Sequence, residues 1–133
     1  MNVESKEKIV DKKRLINSFK YAIEGIKTAY KEEQNLRVHT LAAILVVIAS
    51  YILKLSVVEF SICLILIGLV LMAEFFNTSI ENMTDMITIE KNPYAKKAKD
   101  VSAAGVLVFV FFSSVIGIII FLPKIIDLVK SFI

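Results

Sequence analysis

"FSICLILIGLVLMAEFFNTSIENMTD", residues 60–85, is the stretch whose reading decides how this chain folds. Its apolar part, residues 60–73, is shorter than the roughly 20 residues a helix needs to cross a bilayer. The simplest way to the far interface is for the same helix to continue through Glu74, Asn77, Glu81 and Asp85. Such acids are expensive: a charged side chain at membrane depth costs roughly 2.5–3.5 kcal/mol on insertion scales. They therefore call for a partner, a cation or a function.

The rest of the chain supports the membrane reading. Its 133 residues are 56% hydrophobic and its mean hydropathy is +0.70, too apolar for an ordinary soluble domain. Two further runs, "VHTLAAILVVIASYILKL" (38–55) and "VSAAGVLVFVFFSSVIGIIIFL" (101–122), are long enough to span. The opening "MNVESKEKIVDK" is charged and has no apolar core of a signal peptide, so the first span is expected to be a retained anchor. Cys63 lies in an apolar run, where a small buried hydrophobe is the expected role. Lysine and arginine crowd the segment before the first span and the connection holding Lys91, Lys96, Lys97 and Lys99, while the other loop has Lys54 and the tail has Lys124 and Lys130. The positive-inside bias puts the N-terminus, the second connection and the acidic stretch on the cytoplasmic side.

From Lys13 to about Glu32, Leu15, Phe19, Ala22, Ile23, Ile26, Ala29 and Tyr30 recur at helical spacing opposite a lysine-rich arc. This predicts an amphipathic surface helix over 13–35, whose simplest role is an interfacial anchor. Arg14, Tyr21 and Thr28 fall along one flank of it. Glu33 projects onto the greasy arc, in line with Leu15 and Ile26, so it stands at a helix break or points inward; Arg37 follows four residues later, close enough to pair if the helix holds. In "EKNPYAKKAKD", Asn92 suits an N-cap and Pro93 the first helical position. The predicted helices with the spans are therefore 38–55, 57–89 and 93–122, the last ending near Pro123. A helix N-terminus followed by Lys96, Lys97 and Lys99 suits an anion, or is an ordinary juxtamembrane basic patch.

With Glu74 at zero on a 3.6-residue wheel, Asn77 lies at about −60°, Glu81 at about −20° and Asp85 at about +20°. One narrow face carries all four. Converging oxygens suit a hard cation, and Mg²⁺ characteristically takes one or two protein carboxylates with substrate phosphates and waters completing its shell. A carboxylate deeper than the metal is a candidate general base for a hydroxyl arriving from the lipid side. The alternative is a polar seam between helices, with Asn77 hydrogen-bonding across a bundle. His39, at a span entrance, is read as an interfacial polar residue. No Walker-type loop is present, so any nucleotide must be held by helix surfaces, lysines and metal.

Three strings, "YAIEGIKTAYKEEQNLRVH", "AEFFNTSIE" and "KKAKDVSAAGVL", resemble in order the motifs of the small prokaryotic integral-membrane diacylglycerol kinases, and more closely their Gram-positive branch that acts as undecaprenol kinase. The resemblance implies an all-α membrane protein, one kinase domain over 1–133, with an N-terminal surface helix, three transmembrane helices and a homotrimer sharing composite sites. It implies transfer of the γ-phosphoryl group of ATP, with Mg²⁺, to a lipid hydroxyl in a bacterial plasma membrane, undecaprenol or alternatively diacylglycerol being the acceptor. By the same resemblance Glu74 is the catalytic base with Asn77 its polar partner, and Glu33 and Glu81 bind the metal and with it the nucleotide. Arg14, Tyr21, Glu90, Lys91, Asn92, Lys99 and Asp100 contact the nucleotide, and Asn35 and Arg37 support the site. The rival of another class is a small cation or drug transporter whose acids bind ions directly and need no nucleotide contacts. A structural scaffold, a third reading, would leave Glu33 and Glu81 unexplained.

Overall fold

The computed structural model describes residues 12–88 and 90–132, with side chains from Arg14 onward. Most of the charged opening stretch, and Ile89, the expected last residue of the third helix, lie outside the described residues. The described chain forms four helices: α1 (Lys12–Glu32), α2 (Gln34–Ile52), α3 (Val57–Ile87) and α4 (Pro93–Lys130). Three of them, α2, α3 and α4, are long and apolar enough to cross a membrane. The fold is all-α, with a long interrupted apolar run carried as one continuous helix, α3.

The chain divides into two compact units, α1 up to Glu32 and everything from Glu33 onward. Between them Glu33 is extended (φ −99°, ψ 117°) and stands at the N-cap of α2. α1 therefore ends three residues before the expected position 35, and α2 begins at Gln34 rather than 38. The helix break expected as one reading of Glu33 falls at that residue. Asn35 and Arg37 belong to the first turn of α2.

A tight turn joins α2 to α3. Lys54 adopts φ 51°, and the backbone N–H groups of Lys54 and Leu55 donate to the carbonyls of Tyr51 (3.2 Å) and Ser50 (3.0 Å). This is the pair of bonds of a Schellman ending, made here with lysine where glycine is usual. Ser56 then opens α3 with a reciprocal capping box: its hydroxyl accepts from Glu59 N–H at 3.3 Å, and Glu59 Oε2 accepts from Ser56 N–H at 2.7 Å. At the other connection Asn92 Oδ1 accepts from the N–H of Tyr94 (2.8 Å) and Ala95 (3.3 Å), with Pro93 at the first helical position. The starts of α3 and α4 are thus each fixed locally by capping chemistry.

α4 runs through Pro123 to Lys130, well past the expected end at 122. Proline removes one intrahelical donor and crowds the preceding turn. Ile125, Ile126, Leu128 and Val129 continue the apolar composition beyond it, and a helix in an apolar surrounding keeps its backbone bonds because no water replaces them. Lys124 also reaches across to Glu59 (Nζ to Oε2, 3.3 Å), tying α4 to the first turn of α3.

α3 is the central helix of this unit, packed against both α2 and α4. Leu36, Cys63, Val70 and Val106 are its buried apolar side chains. Cys63 is a free thiol in that core. The buried set also includes Ser50, Glu74, Asn77, Thr78 and Thr84, an unusually polar interior for so apolar a chain. Ser50, Thr78 and Thr84 satisfy their hydroxyls on the carbonyl four residues back, at 2.7, 3.0 and 2.7 Å. Glu74 and Asn77 have no such local outlet, and they define the site.

Candidate active site

Position along α3 sets the environment of each acid. Counting from Phe60, just beyond the capping box, Glu74 lies about 21 Å along the axis and Glu81 about 32 Å, at 1.5 Å per residue. A hydrocarbon layer about 30 Å thick would therefore contain Glu74 about 9 Å short of its far surface and leave Glu81 at that surface. Helical spacing accordingly gives one face two kinds of carboxylate, one in the apolar layer and one at the water boundary.

Glu74 is 2% exposed. A buried carboxylate is costly unless another group hydrogen-bonds it. That group is His39 of α2, whose Nε2 stands 3.1 Å from Glu74 Oε1. The carboxylates of Glu33 and Glu81 also act electrostatically on Glu74. Glu33 is half-buried and makes no side-chain capping bond.

One turn beyond Glu74, Asn77 donates from Nδ2 to Glu81 Oε1 at 2.9 Å. Its own carbonyl oxygen, Oδ1, is buried without a hydrogen-bond partner. Buried polar atoms are nearly always satisfied, and an orphaned acceptor points to an ion or water that completes it. The described residues contain no group of three or more His, Cys, Asp or Glu side chains placed to hold a metal by themselves. The oxygens at hand, the Glu33 and Glu81 carboxylates and Asn77 Oδ1, fit a cation that takes few protein ligands and fills its shell from phosphate and water, which is the habit of Mg²⁺.

Farther up the same face, Asp85 Oδ1 meets Lys99 Nζ of α4 at 2.6 Å. The acidic stripe is thereby extended to a lysine on the next helix. Asp100, by contrast, pairs with Lys96 on its own helix at 2.7 Å and is exposed. Glu90 and Lys91 are exposed in the α3–α4 connection, and the Asn92 side chain is engaged in capping α4, so a contact from that residue to a ligand would come from its backbone. Arg14 and Tyr21 are exposed on α1 and belong to the separate first unit. Asn35 and Arg37 are exposed at the start of α2.

The sequence reading missed two features. His39 was taken as interfacial, yet it is the hydrogen-bonding partner of the buried acid; the pairing depends on the register between α2 and α3, for which neither helix carries a local signal. The second is an apolar groove of about 230 Å³ between α2, α3 and α4 that begins at His39 and runs past Ala42, Val70 and Gly117 to Phe121. Small side chains make room for it. Ser113 Oγ is buried on its wall without a partner.

An all-helical protein with three potential spans and acidic side chains, one of them buried, along its central helix is a membrane protein. It belongs to the prokaryotic diacylglycerol kinase family, whose model matches residues 20–121 and so includes every site residue named above except Arg14. The chain is 39% identical to the undecaprenol kinase of Bacillus subtilis over 92% of its own length and 99% of that protein. It is 30% identical to a diacylglycerol kinase of Synechocystis over 86% of its length and 66% of that protein. A diacylglycerol kinase of Helicobacter pylori is 35% identical over 78% of this chain and 81% of its own. Kinase activity in the family implies that ATP is the co-substrate.

Proposed function

We propose that the protein is a Mg²⁺-dependent kinase that transfers the γ-phosphoryl group of ATP to the hydroxyl of undecaprenol. The observation that carries the proposal is the buried Glu74 carboxylate, bonded to His39, which lines an apolar groove. A lipid alcohol lying in the bilayer presents its hydroxyl from the lipid side, and the groove gives the start of its hydrocarbon chain a place to lie. Glu74 accepts the hydroxyl proton as the acceptor oxygen bonds to the γ-phosphorus and the bond to the departing ADP oxygen breaks. Glu33, Glu81 and Asn77 Oδ1 would hold Mg²⁺, which when bound neutralises phosphate charge. Lys99 is positioned to exchange Asp85 for a phosphate oxygen.

The remaining parts of the reading concern placement and assembly. Excess lysine and arginine before α2 and between α3 and α4 supports a cytoplasmic N-terminus and site, where ATP is, in a bacterial plasma membrane. α1 is assigned to the cytoplasmic leaflet as an amphipathic surface helix, with Arg14 and Tyr21 toward nucleotide. The protein is proposed to be a homotrimer with shared sites. Its most apolar helix windows are only 11%, 17% and 11% buried within the chain, and one three-helix layer offers a nucleotide few walls. A panel of lipid acceptors with radiolabelled ATP tests the substrate. Labelling of the C55 isoprenoid alcohol should far exceed labelling of diacylglycerol; the reverse order would assign the chain to the diacylglycerol-specific relatives.

A further inference from the structure

We infer that His39 is a positioning residue for phosphoryl transfer: its Nε2–H donates to Glu74 Oε1 and turns the carboxylate so that Oε2 faces the acceptor hydroxyl. The inference rests on the base role of Glu74 and adds a residue to it. An ionised carboxylate only accepts hydrogen bonds, so the imidazole nitrogen 3.1 Å away must carry a proton. The terminal torsion of a glutamate is broad, with no sharply preferred plane of its own. Nothing in the sequence of α3 would orient the carboxyl, because the nearby Thr78 hydroxyl bonds the Glu74 backbone carbonyl rather than its side chain. A donor from another helix does what α3 cannot.

The location of His39 fits that task better than a purely structural one. It is the groove-lining residue that also bonds Glu74, so it stands where the hydrocarbon chain of an acceptor would give way to its hydroxyl. Its side chain is 24% exposed against 2% for Glu74, so the imidazole is the more open member of the pair. During transfer the hydroxyl proton passes to Glu74 Oε2, the acceptor oxygen gains the phosphoryl group, ADP leaves with the electrons of the broken bond, and His39 keeps its own proton throughout.

The test compares His39→Leu with His39→Gln, whose amide can reach Oε1 as a donor, in the full-length protein in mixed micelles. Misplacing a catalytic group by about 1 Å can cost on the order of a hundredfold, so His39→Leu should lower kcat about ten- to a hundredfold with the KM for Mg·ATP within about twofold of the unsubstituted protein. His39→Gln should recover most of the lost kcat. If His39→Leu does not assemble, His39→Asn, whose amide stops short of Oε1, replaces it and should show the same loss. In a Glu74→Gln background the His39 substitution should change nothing further. Full kcat in His39→Leu or His39→Asn, or equal losses in those variants and His39→Gln, would overturn the inference. The two levels separate cleanly: if Glu74→Gln itself turns over normally, the base assignment fails, whereas an inactive Glu74→Gln beside a fully active His39→Leu removes only the role of His39.

Discussion

Replacing Asn77 with leucine separates a residue kept for chemistry from one kept for packing. In the folded chain Asn77 is 5% exposed, gives one hydrogen bond to Glu81 and leaves Oδ1 orphaned. A hydrogen bond to a charged group contributes about 1.5–3 kcal/mol, and an unsatisfied buried polar atom costs about 1–3 kcal/mol. Leucine removes both at similar volume, so these opposing terms nearly cancel and the metal-free protein should unfold within a few degrees of the unsubstituted one. Function should not be spared. Loss of Oδ1 from the cation site should raise the Mg²⁺ concentration for half-maximal activity and lower turnover at least tenfold. The stabilisation Mg²⁺ gives, about 2.7 kcal/mol at a hundred times its Kd, should shrink accordingly. Thermal unfolding in detergent with and without Mg²⁺, run beside a Mg²⁺ titration of lipid phosphorylation, reads both. A large drop in metal-free stability with an unchanged Mg²⁺ requirement would refute the reasoning and return Asn77 to the role of a packing seam.

Two further outcomes follow from the same site. Mg·ATP should raise the melting temperature of the unsubstituted protein, by mass action on the folded state; a transporter whose acids bind ions directly would respond to its cation and not to the nucleotide. Lys99→Gln should change stability by less than about 1 kcal/mol, because its bridge to Asp85 is partly exposed (34% and 57%). It should nonetheless raise the KM for ATP severalfold; an unchanged KM would remove Lys99 from the nucleotide site.

Much of the architecture was written in local signals. Ser56 and Glu59, then Asn92 and Pro93, carry the capping chemistry that opens α3 and α4, and the four polar positions from Glu74 to Asp85 announce one helical face. The break at Glu33 was half legible: an acid on a greasy arc marked the position, but "KEEQNLR" contains neither glycine nor proline, so no local signal ended α1 there. Pro123 misled in the other direction, because the penalty that stops a helix in water is weaker where the backbone has no water to bond. His39 and the groove were hidden for a different reason. They arise from how α2, α3 and α4 pack, and a contact between helices has no period within either one.

The resemblance of three short strings and the wheel geometry converge on Glu33, Glu74 and Glu81, and the folded chain brings Glu33 and Glu81 each within electrostatic reach of Glu74. Their division of labour follows from depth along a single helix and its neighbour's N-cap. In the proposed reaction the deeper acid would meet the alcohol, and those nearer the boundary the charged co-substrate. Such a small protein can act as a kinase because phosphoryl transfer asks mainly for positioning and charge stabilisation.

The most direct measurement is transfer of labelled phosphate to the C55 alcohol by Glu74→Gln, with the thermal shift from Mg·ATP recorded on the same preparation. General-base catalysis contributes roughly 10²–10⁴-fold, so turnover should fall by at least about a hundredfold while the nucleotide-induced shift persists. Near-normal phosphorylation by this variant would contradict the account.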